Sequence, residues 1–274
     1  MTKVEKHVVY VPNNLRNAKR KEAFDLNIIS QSFDNGKTLY KPKDVKERLF
    51  TIYNLKCAYC EKDIDDEPKH VEHYRPKDIY YWLAYSWDNL LLSCGRCNSS
   101  KGKGFKTLEP KVNYNNESFD NIHNLGNGYD EVEKPLIINP EKENILDLLI
   151  FNNKAIIDSP DMRVKYTIDE ACKLNKASLV RERIKVINGF RDSIEEHYFL
   201  YGKDGYTGIS RFIPDVKTFV KKCNKDNEFY SFRYFIINNI EIFFDNISIQ
   251  KIIKSIILKL KKDVNPLLPS NIDT

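Results

Sequence analysis

Four of the six cysteines fall into two C-x2-C pairs, Cys57-Ala-Tyr-Cys60 and Cys94-Gly-Arg-Cys97, with 33 residues between them. No other feature of the 274-residue chain restricts its folding so tightly. Two such pairs in an intracellular chain read as a tetrahedral four-cysteine Zn2+ site rather than as disulfides. The spacer exceeds the roughly 15–20 residues of common zinc modules. Doubling a loop, however, costs only about 0.6 kcal/mol in closure entropy. Zinc ligation contributes on the order of 10 kcal/mol to folding, so the long spacer is tolerated and has room for more than a turn. Four protein ligands leave no open coordination position, which makes this zinc structural. Cys172 and Cys223 stand alone and read as buried thiols.

Composition bounds the rest. Hydrophobic residues make up 41% and aromatic residues 12%, enough bulky side chains to exclude disorder of the whole chain. No uncharged apolar run approaches the roughly 18 residues of a membrane span. The patch from His7 to Pro12 is too short for the apolar stretch of a signal peptide. The expectation is a cytoplasmic protein with no membrane partner. A formal charge of +5 is mild, but its distribution is uneven. Residues 1–21 carry Lys3, Lys6, Arg16, Lys19, Arg20 and Lys21; residues 94–106 carry Arg96, Lys101, Lys103 and Lys106; residues 249–262 carry five lysines. Such clusters suit polyphosphate partners, although most charge runs are simply solvated faces.

The predicted fold class is α+β and mostly helical. Residues 1–40 read as a basic arm, 41–112 as the zinc-braced core, 113–160 as a linker and hairpin, and 161–274 as a helical region. Asp34-Asn35-Gly36 signals a turn, and Asp44 is the expected N-cap of a helix presenting Val45, Leu49, Ile52 and Tyr53. Short strands are expected around 69–73 and 89–93, and a hairpin around Asn152-Asn153. Thr167-x-x-Glu170 has the capping-box pattern. The stripe from Val180 to Tyr201 reads as a helix stopped by Gly202, with further helices over Phe232 to Phe243 and Ile249 to Leu260.

Between the cysteine pairs lie His70-Val-Glu-His-Tyr-Arg-Pro-Lys77 and Trp87-Asp-Asn89, and Asn98-Ser-Ser-Lys-Gly102 follows the last cysteine. This order resembles the HNH nucleases, whose ββα-metal finger is commonly braced by two C-x2-C knuckles. The resemblance implies His73 as general base, Glu72 and Asn98 as ligands of a catalytic metal, and Asn89 as the residue that fixes the loop. Glu72 stands where Asp is usual, and Asn98 replaces a terminal His. The chemistry is coherent in its own terms. An imidazole with a pKa near about 6.5 accepts a proton at cellular pH. A carboxylate and an amide oxygen are hard donors that suit Mg2+ or Mn2+. Arg75, Lys77 and Lys101 are candidates for phosphate contact. His70 is open to three readings: a second ligand, a phosphate contact, or an alternating strand residue. Period-two alternation puts His70 and Glu72 on one face and Val71 and His73 on the other. A bend or strand end near Tyr74-Arg75-Pro76 is therefore expected.

The fuller string adds Glu61 and Pro135-Leu-Ile-Ile-Asn-Pro140. It is similar to the PtuB-type HNH nucleases of Septu and some retron antiphage systems, from about residue 41 to 200. That resemblance implies an SMC/ABC-like ATPase of the PtuA type as partner, docked on exposed helical faces. The leading reading is a metal-dependent endonuclease acting on DNA. The alternatives are an RNA (tRNA) nuclease on the same scaffold and a non-catalytic zinc module that binds nucleic acid.

Overall fold

The computed structural model describes residues 1–6, 10–33, 40–201, 208 and 210–263. The chain divides into two units, one made of Met1–Leu149 with Asp158–Asn175 and the other of Ile150–Ile157 with Lys176–Thr274. His7, the Asp34-Asn35-Gly36 turn and the Gly202 stop lie outside the described residues.

In the first unit, α1 (Ala18–Ser30) starts behind Asn17, whose side chain accepts the Arg20 N–H at 3.1 Å. The next helix, α2 (Lys43–Tyr53), starts one residue before Asp44, with Pro42 in the cap position. Asp44 sits instead in the first turn, where a carboxylate suits the helix dipole, and it accepts the Asn14 N–H at 3.1 Å. Val45, Leu49 and Tyr53 are the buried face. β1 (Lys69–His73) pairs antiparallel with β2 (Leu90–Cys94), Lys69 lying opposite Cys94 and His73 opposite Leu90. Every residue of β2 is buried, as its unbroken apolar run requires. α3 (Gly95–Lys101) follows at once, capped by the last residue of β2: Cys94 Sγ accepts the Cys97 N–H at 3.4 Å. This ββα unit holds the residues singled out above.

The described residues at the start of the expected 1–40 arm are tied to the core. The Val4 N–H donates to Pro140 O at 2.8 Å. Lys6 Nζ donates to Trp87 O at 2.7 Å and Leu90 O at 2.6 Å, and pairs with Glu141 at 2.8 Å. Residues 113–149 are not a linker either, because α4 (Gly126–Glu133) supplies the buried Glu133 beneath the core. Further on, α5 (Met162–Tyr166) starts behind Asp161, which accepts the Arg163 and Val164 N–H groups, each at 2.9 Å. The helix runs on through a π turn, Thr167–Ala171. Thr167 is thus inside a helix rather than capping one. Its hydroxyl donates to Arg163 O and accepts the Ile138 N–H, both at 2.9 Å.

The second unit opens with the expected hairpin, β3 (Ile150–Phe151) and β4 (Ile157–Asp158). Asn152 Oδ1 accepts the Lys154 and Ile156 N–H groups, each at 3.0 Å, which closes the turn. Helices α6 (Ala177–Tyr201), α7 (Ile213–Lys221), α8 (Tyr230–Asn238), α9 (Ile240–Phe243) and α10 (Ile247–Asp263) follow. The expected single helix over Phe232 to Phe243 is two. At Asn239 the backbone leaves helical geometry (φ −138, ψ 51), and the side-chain amide donates to Phe235 O at 2.9 Å. An asparagine side chain that binds local backbone offers the chain an alternative to the helical ladder. Among the described residues no helix is long and apolar enough to cross a membrane.

Candidate active site and metal centre

The four paired cysteines converge. All are buried, and their Sγ atoms lie within 4.8 Å of one another. A tetrahedral site with Zn–S bonds near about 2.3 Å places its sulfurs about 3.8 Å apart. The Cys60 and Cys94 sulfurs are 3.8 Å apart, so the donor set and its spacing fit a closed structural zinc site. The knuckle backbone supports it: Ala58 N–H donates to Leu92 O at 2.9 Å, tying the first pair to β2. Among the described residues this is the one group of three or more His, Cys, Asp or Glu ligand atoms gathered closely enough for a metal. Cys172 and Cys223 are buried and form no disulfide.

Asn89 lies at the mouth of β2 and governs the long loop from Tyr74. Its Oδ1 accepts the Arg75 N–H at 2.7 Å, while Nδ2 donates to Arg75 O at 3.0 Å and Leu83 O at 3.3 Å. One buried amide thus satisfies three backbone groups of a segment that has no ladder of its own. The same loop holds His73. The His73 Nε2 lies 3.0 Å from Ala84 O. A carbonyl can only accept, so Nε2 carries the proton and the neutral ring keeps its lone pair at Nδ1. Nδ1 has no hydrogen bond, yet it is not among the sealed, unpartnered buried atoms. His73 is only 6% exposed. Burial pushes its imidazole down to about 3; the Ala84 contact opposes that shift, and Lys77, Lys101 and Lys41 add to it. The ring is therefore neutral at cellular pH.

Alternation along β1 holds to its end. Glu72 turns to α3, where Lys101 Nζ donates to Glu72 Oε1 at 2.6 Å and to His73 O at 2.7 Å. His73 turns to Ala84 and to Tyr40, whose ring meets the imidazole edge-on at 4.5 Å between centroids. β1 stops at His73, as the sequence requires. Burial raises the Glu72 carboxyl above its usual value, with Lys101 pulling it back. Its Oε2 makes no hydrogen bond. Asn98 lies one helical turn before Lys101, on the same side of α3. It is half-buried, and its side-chain amide binds no described residue. One carboxylate oxygen and one amide therefore stand uncommitted at this end of the finger. Each is an oxygen donor of the hard kind that suits a divalent cation.

The four residues expected at phosphate divide. Lys77 is half-buried, with Nζ 4.7 Å from the Phe33 ring centroid and 5.5 Å from that of Tyr40. His70 is half-buried against the start of α3, its Nε2 3.3 Å from where a Cβ on Gly95 would sit. The other two are corrected. The Lys101 side chain is 0% exposed and spent on Glu72 and the β1 carbonyl, so it braces β1 to α3. Arg75 is 2% exposed. Its Nε donates to Glu133 Oε2 at 2.9 Å and its Nη2 to Asp130 Oδ1 at 2.5 Å. Glu133 also accepts from Tyr80 OH at 2.6 Å and from Val112 N–H at 2.9 Å. Arg75 anchors the loop that follows β1 to α4 and is closed to phosphate. Arg75→Ala leaves Glu133 buried without its countercharge, so a loss of about 3–5 kcal/mol of stability is expected. Urea unfolding measures it; a variant as stable as the parent would remove Arg75 as the loop anchor. Sequence reading also missed Tyr40, Lys41 and Phe33. The signal available was the aromatic-basic pair Tyr40-Lys41, and Lys41 Nζ lies 5.2 Å from the Tyr40 ring centroid.

Comparison with known proteins agrees with this geometry. The family model for HNH endonuclease matches residues 57–104, the stretch from the first zinc knuckle through α3. Septu protein PtuB of Bacillus mycoides (strain KBAB4) is 32% identical over 162 residues, covering 54% of this chain and 52% of that protein. Septu protein PtuB of Bacillus thuringiensis is 42% identical over 88 residues, covering 31% of this chain and 34% of that protein. The chain thus spans about half the length of the first relative and about a third of the second. With β1, β2, α3 and the four cysteines all inside the matched stretch, residues 57–104 are similar to the HNH endonuclease family, in a chain that over part of its length is similar to Septu protein PtuB.

Proposed function

We propose that this protein is a metal-dependent endonuclease that hydrolyses phosphodiester bonds of DNA, the effector nuclease of an antiphage complex. One observation carries the reading: His73 is fixed at Nε2 by Ala84 O, neutral, and left with an unpartnered Nδ1. A base of that kind takes the proton from an attacking water as the water oxygen bonds to phosphorus and the leaving oxygen departs. Glu72 Oε2 and the Asn98 amide are the ligands for Mg2+ or Mn2+, which when bound stabilises the charge that develops on the phosphate. Lys77, Lys41 and His70 are the surface groups that hold the strand. Asn89 and Arg75 keep the loop, and hence His73, in place. The four cysteines hold Zn2+ as a brace, remote from the reaction. The name shared by the relatives supports a place in a Septu system. An SMC/ABC-like ATPase of the PtuA type is the partner this reading assigns, and it would show by co-purification.

The test is to incubate the full chain, with and without that ATPase, with plasmid DNA, single-stranded DNA and total RNA. Each is run with Mg2+, Mn2+ or chelator. Cleavage of DNA that requires the divalent ion is expected. Cleavage of RNA alone would move the substrate to the second reading. Tight binding with no cleavage under either metal would overturn the catalytic one.

A further inference from the structure

The C-terminal unit contains a cavity of about 450 Å³ between α6, α7 and α8, within the range of about 300–1,000 Å³ typical of small-molecule sites. Phe190 and Phe219 form one wall, stacked at 4.1 Å between centroids with 14° between planes. Gly189 stands at the mouth, and a Cβ added there would meet nothing within 4 Å. Arg233 lines the interior and is 9% exposed. Its Nε donates to Glu228 O at 3.2 Å, and its guanidinium lies 5.5 Å from the Phe219 ring centroid. Both terminal nitrogens are without a partner, and no carboxylate among the described residues pairs with them. Two of the three acids of the wall are committed. Asp215 accepts from Ser193 at 2.7 Å and lies 2.6 Å from His197 Nδ1, and Glu182 pairs with Lys185 at 3.3 Å. The Glu228 carboxylate stays beyond ion-pair distance. Lys222 adds a second cation at the rim.

Glu228 acts on the Arg233 guanidinium electrostatically but lies beyond ion-pair distance, so the two terminal nitrogens stay open to an anion. An arginine's planar fork matches two oxygens of a phosphate, and the stacked Phe190 and Phe219 give the same cavity an apolar side. We propose that this cavity binds a small phosphate ester of mononucleotide size, its phosphate on Arg233 and its ring against Phe190 and Phe219. The site is separate from the HNH finger and does not depend on how that finger acts.

Isothermal titration of the full chain tests this with adenosine 5′-monophosphate, adenosine and a short single-stranded oligonucleotide. The monophosphate should bind and adenosine should bind at least about tenfold more weakly, because the bidentate phosphate contact is the stronger interaction. Arg233→Gln should lose the same factor. Gly189→Leu keeps the decision open if Arg233→Gln fails to fold. It extends into open space, improves helix propensity and should block the mouth without disturbing the core. Equal binding of adenosine and its monophosphate would overturn the proposal. So would undiminished binding by Gly189→Leu, or binding of the oligonucleotide with none of the mononucleotide.

Discussion

His73→Ala is expected to lower DNA cleavage by about 10²–10⁴-fold, the range for removing a general base, while the circular dichroism spectrum stays that of the parent. The size of the effect follows from how the ring is held. Ala84 O occupies Nε2 at 3.0 Å, and Tyr40 lies edge-on at 4.5 Å, so Nδ1 can face only one way. Alanine removes the lone pair and also leaves Ala84 O without its donor. That second loss costs about 1–3 kcal/mol, which the cysteine-braced finger should withstand. Two readouts separate chemistry from support. Imidazole added to His73→Ala should restore part of the cleavage, because a free base can enter the space the ring vacates. A thermal melt should show only a modest shift. Activity that survives the substitution undiminished would remove His73 from the mechanism and leave nucleic-acid binding as the role of the finger.

What could be read from the sequence divides along a physical line. The ββα unit was legible because its determinants are local. Cysteine spacing, the apolar run Leu90-Leu-Leu92 and the Glu72-His73 pair all fall within 48 residues matched as one domain. Strand alternation was legible as well, and Glu72 and His73 do diverge toward Lys101 and Ala84. The cations were not. Lys6, Arg75 and Lys101 look like solvated charge in a basic chain, and what buries each is a carboxylate distant in sequence. Glu141 takes Lys6, Glu133 takes Arg75 across 58 positions, and Glu72 takes Lys101 across 29. No periodicity encodes such pairings. The same blindness made an arm of residues 1–40 and a linker and hairpin of 113–160, since both are polar; among their described residues Val4, Lys6 and Asp130 are held by long-range contacts. Thr167 shows the converse error: a four-residue capping pattern matched by chance inside a helix that Asp161 had already begun.

Removing the sulfur-bound metal should unfold the finger outright. Ligation of a structural zinc is worth about 10–16 kcal/mol at neutral pH, and a whole domain is stable by only about 5–15 kcal/mol. Loss of the ion therefore removes as much free energy as folding leaves in hand. The four thiols join two segments that are distant in sequence. Ala58 N–H to Leu92 O is the backbone bond between the first knuckle and β2, and Cys94 must be in position for α3 to be capped. If the site opens, β2 loses its anchor, α3 loses its N-cap, and Lys101 moves away from Glu72. Mass spectrometry should find one zinc per chain. A strong zinc chelator should lower the melting temperature by more than about 15 °C, since each 1 kcal/mol shifts it by about 2–4 °C in a protein of this size. Cys97→Ser should behave like the chelated parent. Zinc, not magnesium, should restore the fold, whereas magnesium or manganese should restore cleavage only to protein already holding zinc. A Cys97→Ser variant that melts with the parent would sever the link between the cysteines and the finger.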